Sequence, residues 1–422
     1  MKSTVLRDAI SNELLGLISN LSNKNLLRAM GVFEKLSSID WHRQGVSAVR
    51  ALIETDHPGI NAVRRILKQA NPKARSALLN NFILGSILLG YRRRLAFYNE
   101  HQVAPPGTLM ISPTLRCNLK CYGCYADHHE HKHELTYEEV DAVVTDAAAA
   151  GTNFFLFLGG EPFIVPWLLD IVEKHSHNAF LIFTNGQLID DQKVARLAQL
   201  GNAGIAIGVD GLQKETDERK GPGAFEKAME RMRALNKAGV LVGFSAMTSQ
   251  KNFDVLHSEA FYDTMIENGA GYGWIPIAVP QGSACQDPNL VPTQAEKARI
   301  PELIRKIKQK KELLLVDFLT DAYLTEGCGA GRVMWHINAN GDVEPCVLMP
   351  YAVDNIREKS FTEICKSDFL RHIRDISHRN CKNTQTCLMA YKPKEVLEVV
   401  SKFDARETSI GITKVLNELA RA

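Results

Sequence analysis

Apolar and polar positions follow two different periods along this chain, and the change falls near residue 105. Up to about Tyr98 the spacing is helical: Leu14, Leu15, Leu17, Ile18 and Leu21 share one face, as do Val63, Ile66 and Leu67. Asn71-Pro72 interrupts the pattern, and an apolar helix follows over Ser76–Leu89, ending in Tyr91-Arg92-Arg93-Arg94. Pro105-Pro106-Gly107 marks a domain boundary. Beyond it, short apolar runs alternate with amphipathic stretches. Leu109–Ser112, Phe154–Leu158, Phe180–Phe183, Ile205–Val209, Val240–Ala246 and Gly273–Ile277 read as buried strands. A helix opens at Thr136, where Glu139 completes a capping box. Others cover Pro166–His175, Gln192–Leu200, Ala224–Ala238 and Asp254–Asn268. Such β-α alternation predicts an α/β fold of parallel strands with right-handed crossovers, an open sheet or partial barrel. Ligand sites then belong at the carboxyl ends of the strands. Pro292 opens a further helix with a second capping box, Thr293 to Glu296, and the tail after Pro393 is helical. The expected parts are a helical segment, residues 1–104, an α/β segment, residues 105–312, and a C-terminal segment, residues 313–422.

Composition narrows the class. The 422 residues are 45% apolar and 23% charged, which suits a folded chain of more than one domain and excludes collagen-like and disordered classes. Fifty Lys and Arg against 48 Asp and Glu leave a net charge of +2, with no general attraction to nucleic acid or to an anionic membrane. No secretory signal is evident at the N-terminus, and the longest apolar stretch, Phe82–Leu89 with Leu78 and Leu79, is too short to span a bilayer. A cytoplasmic protein is expected. There, nine cysteines argue against disulfides and for metal or redox chemistry.

Three of them, Cys117, Cys121 and Cys124, form a Cys-x3-Cys-x2-Cys loop directly after the first strand. Three thiolates this close can wrap one face of a cubane and leave its fourth iron without a protein ligand. An open metal position is what catalysis needs. The bland alternative is a zinc loop, its fourth ligand drawn from His128, His129, His131 or His133. The second strand ends in Gly159-Gly160-Glu161-Pro162, where two glycines let backbones approach closely and Glu161 can accept from an ammonium.

This loop, with Tyr122 before Gly123-Cys124, resembles the signature of the radical SAM family. The resemblance implies a four-iron four-sulfur cluster whose open iron binds S-adenosylmethionine (SAM). Reductive cleavage of SAM then gives a 5′-deoxyadenosyl radical that abstracts hydrogen. It implies that Gly159, Gly160, Glu161 and Pro162 hold the methionine amino group, with Tyr122, Thr184 and Asn185 near SAM. Ser245 would hold its carboxylate or a ribose hydroxyl. Asp210, in an Asp-Gly turn after strand four, would face the active site as a catalytic group. Asp217-Glu218-Arg219-Lys220-Gly221 looks like a further family stretch, with Lys220 in its basic slot. For each of these the plain reading is turn chemistry and capping.

A second group lies near the C-terminus. Cys328 and Cys346 flank Trp335–Val343, which reads as a hairpin with an Asn340-Gly341 turn that would bring the two thiols together. Cys381 and Cys387 follow a helix-like stretch, Phe361–Ile376, and make four ligands available. The spacing resembles the SPASM and twitch domains of radical SAM enzymes. Full SPASM domains carry more cysteines, so the resemblance implies one auxiliary four-iron four-sulfur cluster in a shortened version; zinc is the alternative. Cys365 reads as a buried helix residue and Cys285 as a structural loop residue.

The expected architecture is thus a partial (β/α)6 TIM-like barrel with an all-α N-terminal domain and a small C-terminal hairpin-plus-helix cluster domain. His128–His133 reads as a solvated loop, or as a separate metal site. The N-terminal helices read as a bundle packed on the barrel with the arginines solvated; the alternatives are contact with a membrane surface or the entrance for a hydrophobic substrate. A ribosomal peptide is the expected substrate, a lipid or other hydrophobic molecule the alternative, and flavodoxin or ferredoxin the reductant. A non-catalytic iron–sulfur electron-transfer or metal-binding protein is the reading from another class; it leaves Gly-Gly-Glu-Pro at strand two unexplained.

Overall fold

The computed structural model describes residues 20–28, 47, 49–127, 133–279, 281–282, 287, 290–317, 321, 327–379 and 387–421. Seven strands lie side by side in chain order, all parallel: β1 (Thr108–Ile111), β2 (Phe154–Phe157), β3 (Ala179–Thr184), β4 (Ala203–Gly208), β5 (Val242–Ser245), β6 (Tyr272–Trp274) and β7 (Leu314–Val316). A sequential order without a switch point puts every right-handed crossover on the same face, so the sheet curls towards a barrel. The C-terminal strands are β8 (Met334–Ile337), β9 (Asp342–Glu344), β10 (Tyr351–Ala352), β11 (Asp354–Asn355) and β12 (Arg406–Glu407). β8 adds in parallel to the free edge of β1, and β9 and β11 follow as antiparallel neighbours, giving ten strands in one sheet. β10 and β12 pair separately.

Alternation along the strands sorts the two faces. Leu109, Ile111, Phe155, Phe157, Phe180, Ile182, Ile205 and Ile207 point outward and bury against Val140, Val144, Leu168, Ile171, Leu197 and Met232 of the surrounding helices. Met110, Leu156, Leu181 and Ala206 point inward. The capping box at Thr136 forms as expected: its Oγ1 accepts from the Glu139 amide at 3.2 Å, and the Glu139 carboxylate accepts from the Thr136 amide at 2.8 Å.

Several elements depart from the sequence reading. The stretch Asp254–Asn268 is two helices, Phe253–Leu256 and Glu259–Glu267, because Ser258 caps the second. Phe361–Ile376 likewise breaks into Phe361–Cys365 and Asp368–Arg379. β7 was too short to show a period, and it begins just past residue 312, so the last barrel strand comes from the segment assigned to the C-terminal part. The helix over Ser76–Leu89 does not end at the arginines. A π-helical run, Leu78–Leu89, leads straight into the helix Gly90–His101.

The described N-terminal helices close the amino end of the barrel, opposite the cysteine loop. Asparagines cap the turns that precede the strands: Asn81 Nδ2 donates to Ser176 O at 2.8 Å, Asn71 Nδ2 to Ala198 O at 3.0 Å, and Asn202 Nδ2 to Val172 O at 3.0 Å. Asn153 Nδ2 donates to Gly85 O at 2.6 Å and its Oδ1 accepts from Asn178 Nδ2 at 3.2 Å. Arg93 and Arg94 are not merely solvated, since they donate to Ala148 O at 3.2 Å and Gly151 O at 2.8 Å. A helix so placed cannot line an entrance at the carboxyl ends. Among the described residues no helix is long and apolar enough to cross a membrane.

Asn153→Ala leaves the Asn178 side-chain amide without its acceptor in a buried floor and takes one of two donors from the Gly85 carbonyl, which keeps the Gly90 amide; a buried group left unpaired costs about 1–3 kcal/mol. The apparent unfolding midpoint should fall, while SAM cleavage per folded chain holds. An unchanged midpoint would show that the barrel does not lean on this contact.

Candidate functional site

The cysteine loop leaves the carboxyl end of β1 and is strapped at once to the turn after β2. Gly160 N donates to Thr114 O at 3.0 Å, and Glu161 N to Arg116 O at 2.8 Å. A Cβ on Gly160 would stand 2.1 Å from Arg116 O and 2.5 Å from Leu115 O; one on Gly159, at φ +109°, would stand 2.3 Å from Thr114 O. The two glycines are therefore demanded by the approach of one loop to the other. Tyr125, next to Cys124, completes the strap: its hydroxyl lies 3.2 Å from both the amide and the carbonyl of Gly159.

Glu161 is fully buried, and the protein itself engages its carboxylate. Oε1 accepts from Thr184 Oγ1 at 2.8 Å and from Phe163 N at 3.0 Å, and Oε2 accepts from Asn185 N at 2.8 Å. Burial pushes this carboxyl above the usual range, against those bonds. Three donors leave about one acceptor position of four for an ammonium. Asn185 reaches back to the cysteine loop, its Nδ2 2.8 Å from Asn118 Oδ1 and 3.7 Å from Cys117 Sγ. Thr184, Asn185, Glu161 and the thiol of Cys117 thus form one contiguous patch. Pro162 opens a buried turn beneath it. Ser245 is half-buried at the end of β5, beside Gly208 on β4.

Asp210 is also buried, yet its side chain turns to cations rather than to an open site. Oδ1 lies 2.8 Å from Arg219 Nη1, and Oδ2 lies 3.6 Å from Lys220 Nζ. Expected as a catalytic group, it is 3% exposed and its carboxylate is answered by two cations of the chain itself. Arg219 in turn donates from Nε to Tyr122 O at 3.1 Å and from Nη2 to Gly123 O at 3.5 Å, inside the cysteine loop. Burial opposes the Arg219 charge, but Asp210, Cys121 and Cys124 outweigh it and hold the guanidinium above the ordinary arginine value. The Tyr122 ring lies under Lys251, 4.4 Å from Nζ to the centroid.

Three thiols of the second set, Cys328, Cys346 and Cys387, lie in one neighbourhood. Backbone amides of Ala330 and Leu388 donate to the Cys328 sulfur, so Cys328 meets the residue next to Cys387. Cys346 and Cys387 each feel Cys328 electrostatically. Leu348 N donates to Cys346 Sγ at 3.5 Å, and the amides of Met389 and Ala390 to Cys387. Cys346 and Val347 pack on the inward face of the sheet with Met110, Leu156 and Leu181. Cys381, Cys285 and His128–His131 lie outside the described residues, and His133 is exposed. Cys365 is buried on its helix.

Both sets suit iron–sulfur clusters in their donor chemistry. In each, backbone N–H groups point at sulfur: Leu119 N reaches Cys117 Sγ at 3.4 Å, and Ala126 donates to Cys124. Hydrogen bonds to sulfur are one of the means by which proteins tune bound clusters. Burial pushes the thiols of Cys117, Cys124, Cys328 and Cys346 up, and that of Cys387 up to about 12. Free, they hold their protons, which a bound metal must displace. Among the described residues no three His, Cys, Asp or Glu side chains converge tightly enough for a single metal ion.

Three groups escaped the sequence reading. Tyr125 had a signal, an aromatic beside the third cysteine. Arg219 was overlooked for its neighbour Lys220. The chain Ser112–His336–Glu344 gave none, since Ser112 and His336 are 224 positions apart; Ser112 Oγ lies 2.7 Å from His336 Nε2, and His336 Nδ1 lies 2.6 Å from Glu344 Oε2.

Comparison with known proteins accords with this geometry. Residues 111–252 match the radical SAM superfamily, and residues 328–388 match SPASM, an iron–sulfur cluster-binding domain. An AdoMet-dependent heme synthase of Methanosarcina barkeri is 27% identical over 292 residues, 62% of this chain and 83% of that protein. A PqqA peptide cyclase of Granulibacter bethesdensis is 24% identical over 285 residues, 62% of this chain and 74% of that protein. Of solved structures, Streptococcus suis SuiB bound to S-adenosylmethionine shares the fold with a TM-score of 0.56 at 19% identity, over 67% of this chain and 70% of that one.

Glu161→Ala removes the acceptor that aligns Thr184 and Asn185, and a charge-assisted bond is worth about 1.5–3 kcal/mol. SAM should bind roughly tenfold more weakly or worse, by equilibrium dialysis of the reconstituted chain. Wild-type affinity in a folded variant would mean that the carboxylate serves only the strap.

Proposed function

We propose that this chain, a radical SAM superfamily enzyme with a C-terminal iron–sulfur cluster-binding domain of the SPASM type, removes a hydrogen atom from an unactivated C–H bond of a ribosomal peptide or protein. The observation that carries the reading is the strap between the two loops. It sets the thiols of the β1 loop, Glu161 and Asn185 in one patch at the carboxyl end of the sheet. When bound, a reduced four-iron cluster with SAM on its open iron supplies the radical chemistry. Cys117, Cys121 and Cys124 would hold that cluster. Glu161 and Asn185 would orient the methionine end of SAM, with Tyr122 near it on the loop and Ser245 offering a hydroxyl from β5. Cys328, Cys346 and Cys387, with Cys381, would hold the auxiliary cluster beside the barrel interior. A low-potential donor such as flavodoxin or ferredoxin would deliver the electron.

The peptide reading is supported by a relative named as a peptide cyclase. A hydrophobic small molecule is the second reading, favoured by a specific feature of the interior. It carries half-buried apolar side chains, Leu158, Phe183, Trp274 and Val347 among them. A relative named as a heme synthase points the same way.

Anaerobically reconstituted protein given SAM and dithionite should form 5′-deoxyadenosine; none at all would leave a binding or electron-transfer scaffold as the answer. Two loaded clusters imply about eight irons per chain. About four irons with one zinc would assign zinc to the C-terminal set.

The two thiol sets should separate by function. Alanine at Cys117, Cys121 or Cys124 should abolish 5′-deoxyadenosine formation. Alanine at Cys346 or Cys387 should leave SAM cleavage measurable and stop product formation on the substrate. Equal loss of cleavage in both groups, with the other cluster's iron retained, would refute this division of labour.

A further inference from the structure

Cations surround the cysteine loop, but they are not equivalent. Arg116 is largely exposed and its charge is answered by Glu134 at 2.5 Å. Lys251 is half-exposed and paired with Asp287 at 3.0 Å. Lys220 does not reach the loop backbone: its Nζ donates to Gly208 O at 3.0 Å on the strand and lies 3.6 Å from Asp210 Oδ2. Arg219 alone of these four reaches into the loop backbone, through the carbonyls of Tyr122 and Gly123, the two residues between the second and third cysteines. Its side chain is 14% exposed and that of its counter-ion Asp210 is 3% exposed. Charges so placed are poorly screened by water and salt.

We infer that Arg219 is an electrostatic positioning residue for the three-cysteine site: its fixed charge raises the reduction potential of the cluster held there, and Asp210 sets how much of that charge the cluster feels. The inference rests on the reading of Cys117, Cys121 and Cys124 as cluster ligands. A reduced cluster carries one more negative charge than an oxidised one, so a nearby cation stabilises the reduced state. The guanidinium fork gives the charge a defined place, because Nε and Nη2 grip the loop while Nη1 is tied to Asp210 Oδ1. Asp210 is held in turn by Thr216, whose Oγ1 accepts from the Asp210 amide at 3.1 Å. The ion pair cannot drift from the loop without breaking bonds at both ends.

Two substitutions pull an electrostatic role and a merely structural one apart. Arg219→Gln removes the cation, and Asp210→Asn removes the anion that offsets it. Either would loosen the loop, so a structural role predicts the same kind of change in both. Electrostatics predicts opposite signs. The experiment is a redox titration of the reconstituted full-length chain without SAM, followed by electron paramagnetic resonance. All variants carry Cys346→Ala, so that the three-cysteine cluster is read alone. The expected result is a midpoint shifted to more negative values in Arg219→Gln, to more positive values in Asp210→Asn, and close to the parent in Arg219→Lys. Shifts of the same sign, or an unmoved midpoint in either variant with iron retained, overturn the inference. Should Arg219→Gln lose its iron, the sign in Asp210→Asn decides. A Cys121→Ala chain that keeps the titrating signal overturns the cluster reading itself, and this inference with it; the midpoints of the other variants do not bear on that failure.

Discussion

The backbone of Gly159 and Gly160 lies on the carbonyls of Thr114, Leu115 and Arg116 with no room for a side chain between them. Nearly every polar contact at the mouth of the barrel refers to that approach. It hangs the cysteine loop from β1 and β2 at once, and it carries Glu161 to the end of β3, where Thr184 and Asn185 are fixed. Asn185 then closes the circuit back to Asn118 and Cys117. Three strand ends are thereby tied into one frame through backbone groups and one buried carboxylate. A loop fixed in this way can present thiols in a set geometry before any metal arrives, the kind of preorganisation that reduces the entropy lost on binding.

β1 is the other organising element, since it pairs along both edges. Its β2 edge belongs to the barrel and its β8 edge to the C-terminal segment, so the two thiol sets stand on one continuous sheet. Side chains reinforce the join. Ser112 at the end of β1 meets His336 on β8, His336 meets Glu344 on β9, and Glu344 Oε1 accepts from Asn338 at 2.8 Å and from Thr408 at 2.6 Å. All are buried. A buried polar network is stabilising only when its members are satisfied, and it then specifies one arrangement. Here the arrangement specified is the placement of Cys346, two residues beyond Glu344, relative to the loop that begins four residues beyond Ser112. The spacing of the two sites is a property of the sheet and not of a hinge.

Much of this was legible because parallel strands buried on both faces read as continuous apolar runs, and six of the seven barrel strands did so. β7 escaped because three residues carry no period. The thiol loop and the hairpin could be read from spacing, being local in sequence, while Gly-Gly-Glu-Pro, a weak turn signal by itself, took its meaning from its place one β-α unit after the loop. What could not be read was the use of each side chain. Glu161 was expected to face a ligand and spends most of its acceptor capacity on Phe163, Thr184 and Asn185; those partners lie up to 24 positions away. Asp210 was expected to be catalytic and is committed to Arg219 and Lys220, because a carboxylate at that depth requires a counter-charge. Tyr91-Arg92-Arg93-Arg94 looked like a solvated end. Arg93 and Arg94 instead satisfy carbonyls of a turn more than 50 residues downstream. Pairings set by tertiary contact leave no trace in a window of ten or twenty residues.

The two ends of the barrel divide stability from chemistry. At the amino end the asparagine side chains and Arg94 take up turn carbonyls, and the helices over them close the floor. Such a floor gives a substrate no route through the described residues from below. At the carboxyl end the interior rises through Met110, Leu156 and Leu181 to Leu158, Phe183 and Trp274, which are only half-buried, with Cys346 and Val347 packed against the same cluster. These side chains share the strand ends with the polar groups of Thr184, Asn185 and Ser245. Under the radical chemistry proposed above, apolar side chains beside the cysteine loop would help to keep solvent from a reactive intermediate.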